Sequence, residues 1–206
     1  MLKMPSKPRR RKIHVGPQDD GRRMSLDDFD KAVPREGCLY ELSKGVIEVS
    51  GIPQPEHAKQ IEEIRDQLTF YRREHPDLID MIGGGSDAKM LIGPAQSERH
   101  PDLSVYFDPP PKVKDVWSMW TPAIVIEVVS GRSAKRDYQD KRDEYLMFGV
   151  SEYWIIDAAK QQLTALSRWR GQWQSKIFKP SQKFSTPPLP GFSLDLKRIF
   201  ATRNEA

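Results

Sequence analysis

Pro122 to Asp157 reads PAIVIEVVSGRSAKRDYQDKRDEYLMFGVSEYWIID and contains the most apolar run of the chain. Ile124, Val125, Ile126, Val128 and Val129 are apolar on both alternating faces, the pattern of a central strand covered by helices on either side. Glu127 interrupts that run. A buried ionised carboxylate is unfavourable unless a metal, a cation or hydrogen bonds receive it, and a metal ion is the receiver this pattern favours. After Ser130-Gly131 the period changes. Tyr138, Lys141, Tyr145 and Phe148 fall on one stripe of a helix that Gly149 can cap. Lys141 therefore lies among aromatic residues, while Arg136, Arg142, Asp143 and Glu144 are expected on or near the wetter faces. Glu152 to Asp157 reads as a second buried strand, so the unit is strand, helix, strand with the helix as crossover.

The 206 residues are enough for one domain with a real core. An apolar fraction of 37% and a charged fraction of 30% fit a soluble globular protein with some solvated sequence added. No apolar run approaches the ~18 to 20 residues that span a bilayer. The N-terminus lacks the apolar core of a signal peptide, and the expectation is a cytoplasmic protein with no membrane contact. The single cysteine, Cys38, excludes an internal disulfide and a cysteine zinc cluster. Charge is uneven: residues 1–24 hold eight Lys or Arg against Asp19 and Asp20, so the net +4 leaves the other residues at about −2. Such a basic arm can tether a protein to a polyanion such as DNA, or simply be solvated.

The expected domain plan is a disordered arm over 1–24, one domain over 25–200 and a tail over 201–206. Within the domain, Ser25 caps a short helix that Pro34 ends, and Cys38 to Val49 form a hairpin through Ser43-Lys44-Gly45. A long helix runs from Pro55 to about Glu74 with Ile61, Ile64, Leu68 and Tyr71 inward, and Glu56 and His57 at its start. Met81 to Ile92 holds strand pieces around Gly83-Gly84-Gly85, which suits close backbone approach better than a phosphate loop. His100 to Phe107 is a further strand. Leu163 to Trp169 and Trp173 to Phe178 form a hairpin on one sheet edge, and Leu194 to Phe200 a last amphipathic turn.

Asp102, Glu127 and Lys141 are the candidate catalytic residues. Two carboxylates on adjacent strands can share a hard divalent cation, and a nearby lysine can orient a water or neutralise charge on a phosphoryl oxygen. For Lys141 the alternative is a side chain reaching solvent along its aliphatic stem. Glu41 is equally readable as a cross-strand partner on the hairpin, for Lys44 or another exposed cation. Trp169 and Trp173 flank Arg168 and Arg170, a combination that can stack bases but is usually hairpin packing.

His100-Pro101-Asp102-Leu103, Ile126-Glu127-Val128-Val129-Ser130, Asp137 with Lys141 and Tyr145, and Gly149 to Asp157 together resemble the Uma2 family of the PD-(D/E)xK nuclease superfamily. Tyr40-Glu41-Leu42 with Gly45, Glu56-His57 and Leu189-Pro190-Gly191-Phe192 extend the resemblance. It implies an α/β (α+β) restriction-endonuclease-like fold, a mixed central sheet flanked by helices. It also implies magnesium-dependent DNA cleavage, Mg2+ replaceable by Mn2+, with Asp102 and Glu127 as metal ligands. The superfamily lysine would stand where this chain has Val129, and Lys141 would replace it. Glu41, Glu56 and His57 match family positions as supporting candidates. A homodimer would suit cutting of both strands. The rival expectation is a catalytically inactive nuclease-fold module that binds DNA or regulates.

Overall fold

A computed structural model describes residues 12–131 and 133–201. In chain order the strands and helices are β1 (His14–Val15), α1 (Leu26–Asp30), β2 (Val33–Pro34), β3 (Cys38–Ser43), β4 (Val46–Gly51), α2 (Pro55–Glu74), β5 (Met81–Gly83), β6 (Met90–Ile92), β7 (Ser97–Arg99), β8 (Leu103–Tyr106), β9 (Ile124–Val128), α3 (Lys141–Phe148), β10 (Glu152–Asp157), β11 (Gln162–Trp169), β12 (Gln172–Phe178) and α4 (Leu196–Ala201).

The main sheet is mixed, in the order β12-β11-β10-β9-β8-β5, with β9 and β10 parallel and the other pairings antiparallel. Its central strand β9 is buried at every residue, as its two apolar faces require. One face carries Ile124, Ile126 and Val128 into a core with Ile64, Leu68 and Tyr71 of α2 and the C-terminal Leu196, Ile199 and Phe200. On the other, Val125 and Ile155 meet Tyr145, Val150 and Tyr153. Glu127 follows Val125 by two residues, so it shares this second face, the one α3 covers. Gly149 ends α3 at φ 102°, a left-handed conformation that glycine adopts without steric penalty.

The first hairpin does not join this sheet. It belongs to a second sheet, β4-β3-β7-β6, because Leu42 pairs with Glu98 of β7. The strand β7 went unread in the sequence, its Ser97-Glu98-Arg99 having no apolar residue to mark it.

The disorder expected over 1–24 does not hold from residue 12 onward. His14–Val15 pairs in parallel with Val33–Pro34, and Val15 is buried with Phe29, Tyr40, Leu42 and Ile47. Asp19 fixes the turn that follows, accepting hydrogen bonds from Gly16 N at 2.8 Å and Arg22 Nη1 at 2.6 Å. The basic residues 1–11 lie outside the described residues. Among the described residues no helix is long and apolar enough to cross a membrane.

Candidate active site

The register places the two expected metal ligands together. Leu103 pairs with Ile126 across the antiparallel β8–β9 ladder, so one step further Asp102 stands opposite Glu127. Asp102 takes over where the ladder stops, its Oδ2 accepting the Val128 N–H at 2.8 Å. The expectation of close approach at the glycines holds at Gly84. A Cβ there would lie 2.1 Å from the Asp102 carbonyl oxygen, so only glycine lets this loop press against the strand that carries Asp102.

Glu127 is 3% exposed. Its Oε1 accepts hydrogen bonds from Lys141 Nζ at 2.9 Å and Tyr145 Oη at 2.5 Å. Lys141 is buried too, which removes the alternative of a solvent-reaching lysine. Its Nζ also lies 3.5 Å from Glu41 Oε1 and 3.7 Å from Asp137 Oδ1. A π-type turn over Arg136–Asp140 leads into α3, and such turns occur often at functional sites. Here Asp137 and Lys141, four residues apart, converge on Glu127.

The electrostatics follow from three carboxylates around one lysine, Glu127, Glu41 and Asp137, with Asp102 acting on Glu127 beside them. Burial pushes Glu127 up to about 8 despite Lys141, and the charges of Asp102, Asp137 and Glu41 add to the rise. Burial likewise raises Asp137. Glu41 goes the other way: burial opposes its charge, but Lys141, Arg99 and the His100 N–H together hold it at about 2. Lys141 is raised, because Glu127, Glu41 and Asp137 outweigh its desolvation. The cluster is thus short of positive charge.

Glu41 is not paired with Lys44, which instead reaches Asp140 at 3.1 Å. It meets Arg99, a residue that sequence reasoning missed. Arg99 is fully buried and also binds Glu144, Glu48 and Ser43. Glu144, expected on a wetter face, is 1% exposed for that reason. His57 sits beside Asp102, with Nε2 donating to the Val128 carbonyl at 2.8 Å and 3.3 Å from Asp102 Oδ2. Burial works against the His57 charge, but Asp102 prevails and raises its pKa. Glu56 is not part of this group: it is exposed and lines a separate cavity of about 420 Å3 that shares only His57 and Ser130 with the main cleft.

Glu41, Asp102, Glu127, Asp137 and Lys141 line one cleft of about 760 Å3. Arg65 and Arg136 line it as well and bring positive charge to it. All-oxygen donors short of a cation suit a hard divalent ion. Among the described residues no three His, Cys, Asp or Glu side chains converge to hold a metal by themselves. Asp102 and Glu127 could hold such an ion only with water or phosphate completing its coordination.

The model of the Uma2 family, described as "Putative restriction endonuclease", matches residues 26–197. A crystal structure of "a putative nuclease belonging to DUF820" from Anabaena variabilis ATCC 29413, at 1.96 Å, superposes with a TM-score of 0.71 at 19% identity. The match covers 87% of this chain and 98% of that one, and it shows a shared fold. No curated protein matches the chain.

Proposed function

Because this chain belongs to the Uma2 family, we propose that it is a metal-dependent endonuclease that hydrolyses DNA phosphodiester bonds. The observation that carries the reading is the cation-short cluster: Asp102 opposite Glu127 on neighbouring strands, with Lys141 2.9 Å from Glu127. Asp102 and Glu127 would hold Mg2+, or Mn2+ in its place. Held there, such an ion would supply charge stabilisation at a phosphoryl oxygen and make a water more acidic.

The chain's own groups do the rest. The Val128 N–H and His57 fix Asp102 in orientation. Tyr145 and Lys141 fix Glu127, and the buried cleft keeps their charges poorly screened. Glu127, Glu41 and Asp137 raise the pKa of Lys141, which favours a role as an ammonium that stabilises negative charge on the phosphate. Arg65 and Arg136 on the cleft wall would contact flanking phosphates.

One observation favours a second reading, an inactive nuclease-fold module: Glu127 Oε1 is already occupied by Lys141 and Tyr145. Titration calorimetry with Mg2+ and Mn2+ on the wild type and Glu127→Ala, beside cleavage of plasmid DNA, separates the two. Binding and cleavage that both disappear in the variant support the nuclease. Cleavage that survives removes Glu127 as an essential ligand, and no metal binding by the wild type even with DNA present supports the inactive module.

A further inference from the structure

Between Asp157 and Asp195 the chain contains six Lys or Arg residues and no Asp or Glu. Residues 25–157, by contrast, carry a net charge of −9. The weak negative charge of the chain beyond its N-terminal arm therefore hides a sharp segregation. The basic segment is β11, β12 and the loop after them, at the edge of the main sheet.

Lys160, Arg168, Arg170, Lys176, Lys179 and Lys183 are all exposed. Among the described residues the one carboxylate that any of them meets is Asp157, 3.0 Å from Lys160. Like charges left with so few counterions repel one another. The hairpin also exposes an aromatic ring. Trp169 is 59% exposed, with the Arg170 guanidinium 5.7 Å from its ring centroid. Its companion Trp173 is different: half-buried, it donates Nε1–H to the Arg142 carbonyl at 2.8 Å and packs against the core. Packing explains Trp173 and leaves Trp169 unexplained.

We propose that the β11–β12 hairpin is a nucleic-acid docking surface separate from the carboxylate cleft, with Arg168, Arg170 and Lys176 on the phosphate backbone and Trp169 stacking on an unpaired base. Exposed aromatic rings beside arginines are the equipment for that kind of contact. The sheet register sets the reach. Lys176 pairs with Ala165, Ala165 with Trp154 and Trp154 with Ile126, the residue before Glu127. Three strand spacings of ~4.8 Å put Lys176 about 14 Å from that level of β9. Lys176 shares the sheet face of Ala165, Trp154 and Ile126, opposite to the face that carries Glu127, so the hairpin and the cleft are distinct surfaces. An anionic membrane is the less suitable polyanion. Arg168 and Trp169 are consecutive on a strand and point to opposite faces, and Gln172, Gln174 and Ser175 lie among them, so no single apolar face forms.

The surface is tested in the full-length chain with fluorescently labelled single-stranded and duplex oligonucleotides, in chelator so that cleavage does not enter. The variants are the triple substitution Arg168→Gln, Arg170→Gln, Lys176→Gln, and separately Trp169→Ala. All four positions are exposed, so the fold should persist, and thermal denaturation checks this. The triple variant should lower the slope of log K against log salt by about two to three. Trp169→Ala should weaken single-strand binding by about tenfold to a hundredfold and duplex binding less. Unchanged slope and affinity in the triple variant would overturn the proposal, as would a wild type that binds no oligonucleotide. Loss of binding to phosphatidylserine vesicles, with oligonucleotide affinity unchanged, would also overturn it in favour of a membrane surface. The proposal does not depend on catalysis: Mg2+ titration of the cleft reports on the nuclease reading separately and should be the same in all variants.

Discussion

Arg99 donates Nε–H to Glu144 Oε2 at 2.6 Å and an Nη2 hydrogen to Glu144 Oε1 at 3.2 Å, so a buried arginine of the second sheet grips the helix that carries Lys141. The same guanidinium reaches Glu48 at 2.9 Å, Glu41 at 3.3 Å and Ser43 at 2.7 Å. Removing it leaves buried Glu144 with only the Ser97 hydroxyl at 3.0 Å and no cation, and takes one of two cations from Glu41. Arg99→Met should therefore destabilise the protein by ~3–5 kcal/mol, the usual result of breaking a buried pair on one side. Chemical denaturation measures this, and a loss below ~1 kcal/mol would mean that the network relaxes around the gap.

Lys141→Met separates charge stabilisation from metal binding. Asp102 and Glu127 remain, so calorimetric Mg2+ binding should persist. Cleavage should fall by about 10²–10³-fold, the size of effect seen when a positioned donor to a developing oxyanion is removed. Equal loss of binding and cleavage would instead make Lys141 a support for Glu127.

Acid should act through Glu41. Its folded pKa is depressed from 4.5 to about 2, so its contribution to stability is complete above about 4.5 and is lost as pH falls from there towards 2. The gap in urea midpoint between wild type and Glu41→Gln should be widest near neutral pH and shrink below about 4.5. A gap that stays constant down to pH 3 would show that Glu41 is not held ionised by Arg99 and Lys141.

Gly84→Ala tests the loop that presses on Asp102. The added Cβ would fall 2.1 Å from a backbone carbonyl oxygen, an atom that cannot swing away as a side-chain tip can. The strand end should shift, with a loss of ~1–3 kcal/mol of stability as for other overpacking substitutions. Mg2+ affinity should fall with it, because Asp102 moves; full affinity in a destabilised variant would uncouple the loop from the site.

Much of the fold was legible in the sequence because periodic burial leaves a local trace. The helix Pro55–Glu74 and the hairpin of β11 and β12 stand where the apolar periods and turn residues put them. The unit of β9, α3 and β10 was legible for the same reason, and with it Glu127 and Lys141, two charges in an otherwise apolar setting. The short strand β7 left no such trace. Ser97, Glu98 and Arg99 are all buried yet all polar, and a hydrophobicity pattern reads them as surface.

Local patterning is enough to specify the helices and strands, the central buried strand, and the carboxylate and lysine that do not belong among its apolar neighbours. Long-range packing sets the rest: Asp102 stands opposite Glu127, Glu41 faces Lys141 and Arg99 rather than Lys44, and Glu144 is inside. Arg99 is separated from Glu144 by 45 positions, from Glu48 by 51 and from Glu41 by 58. A charge is buried only when its partners arrive, and partners this distant in sequence are brought together by strand register and helix docking, which no local period encodes.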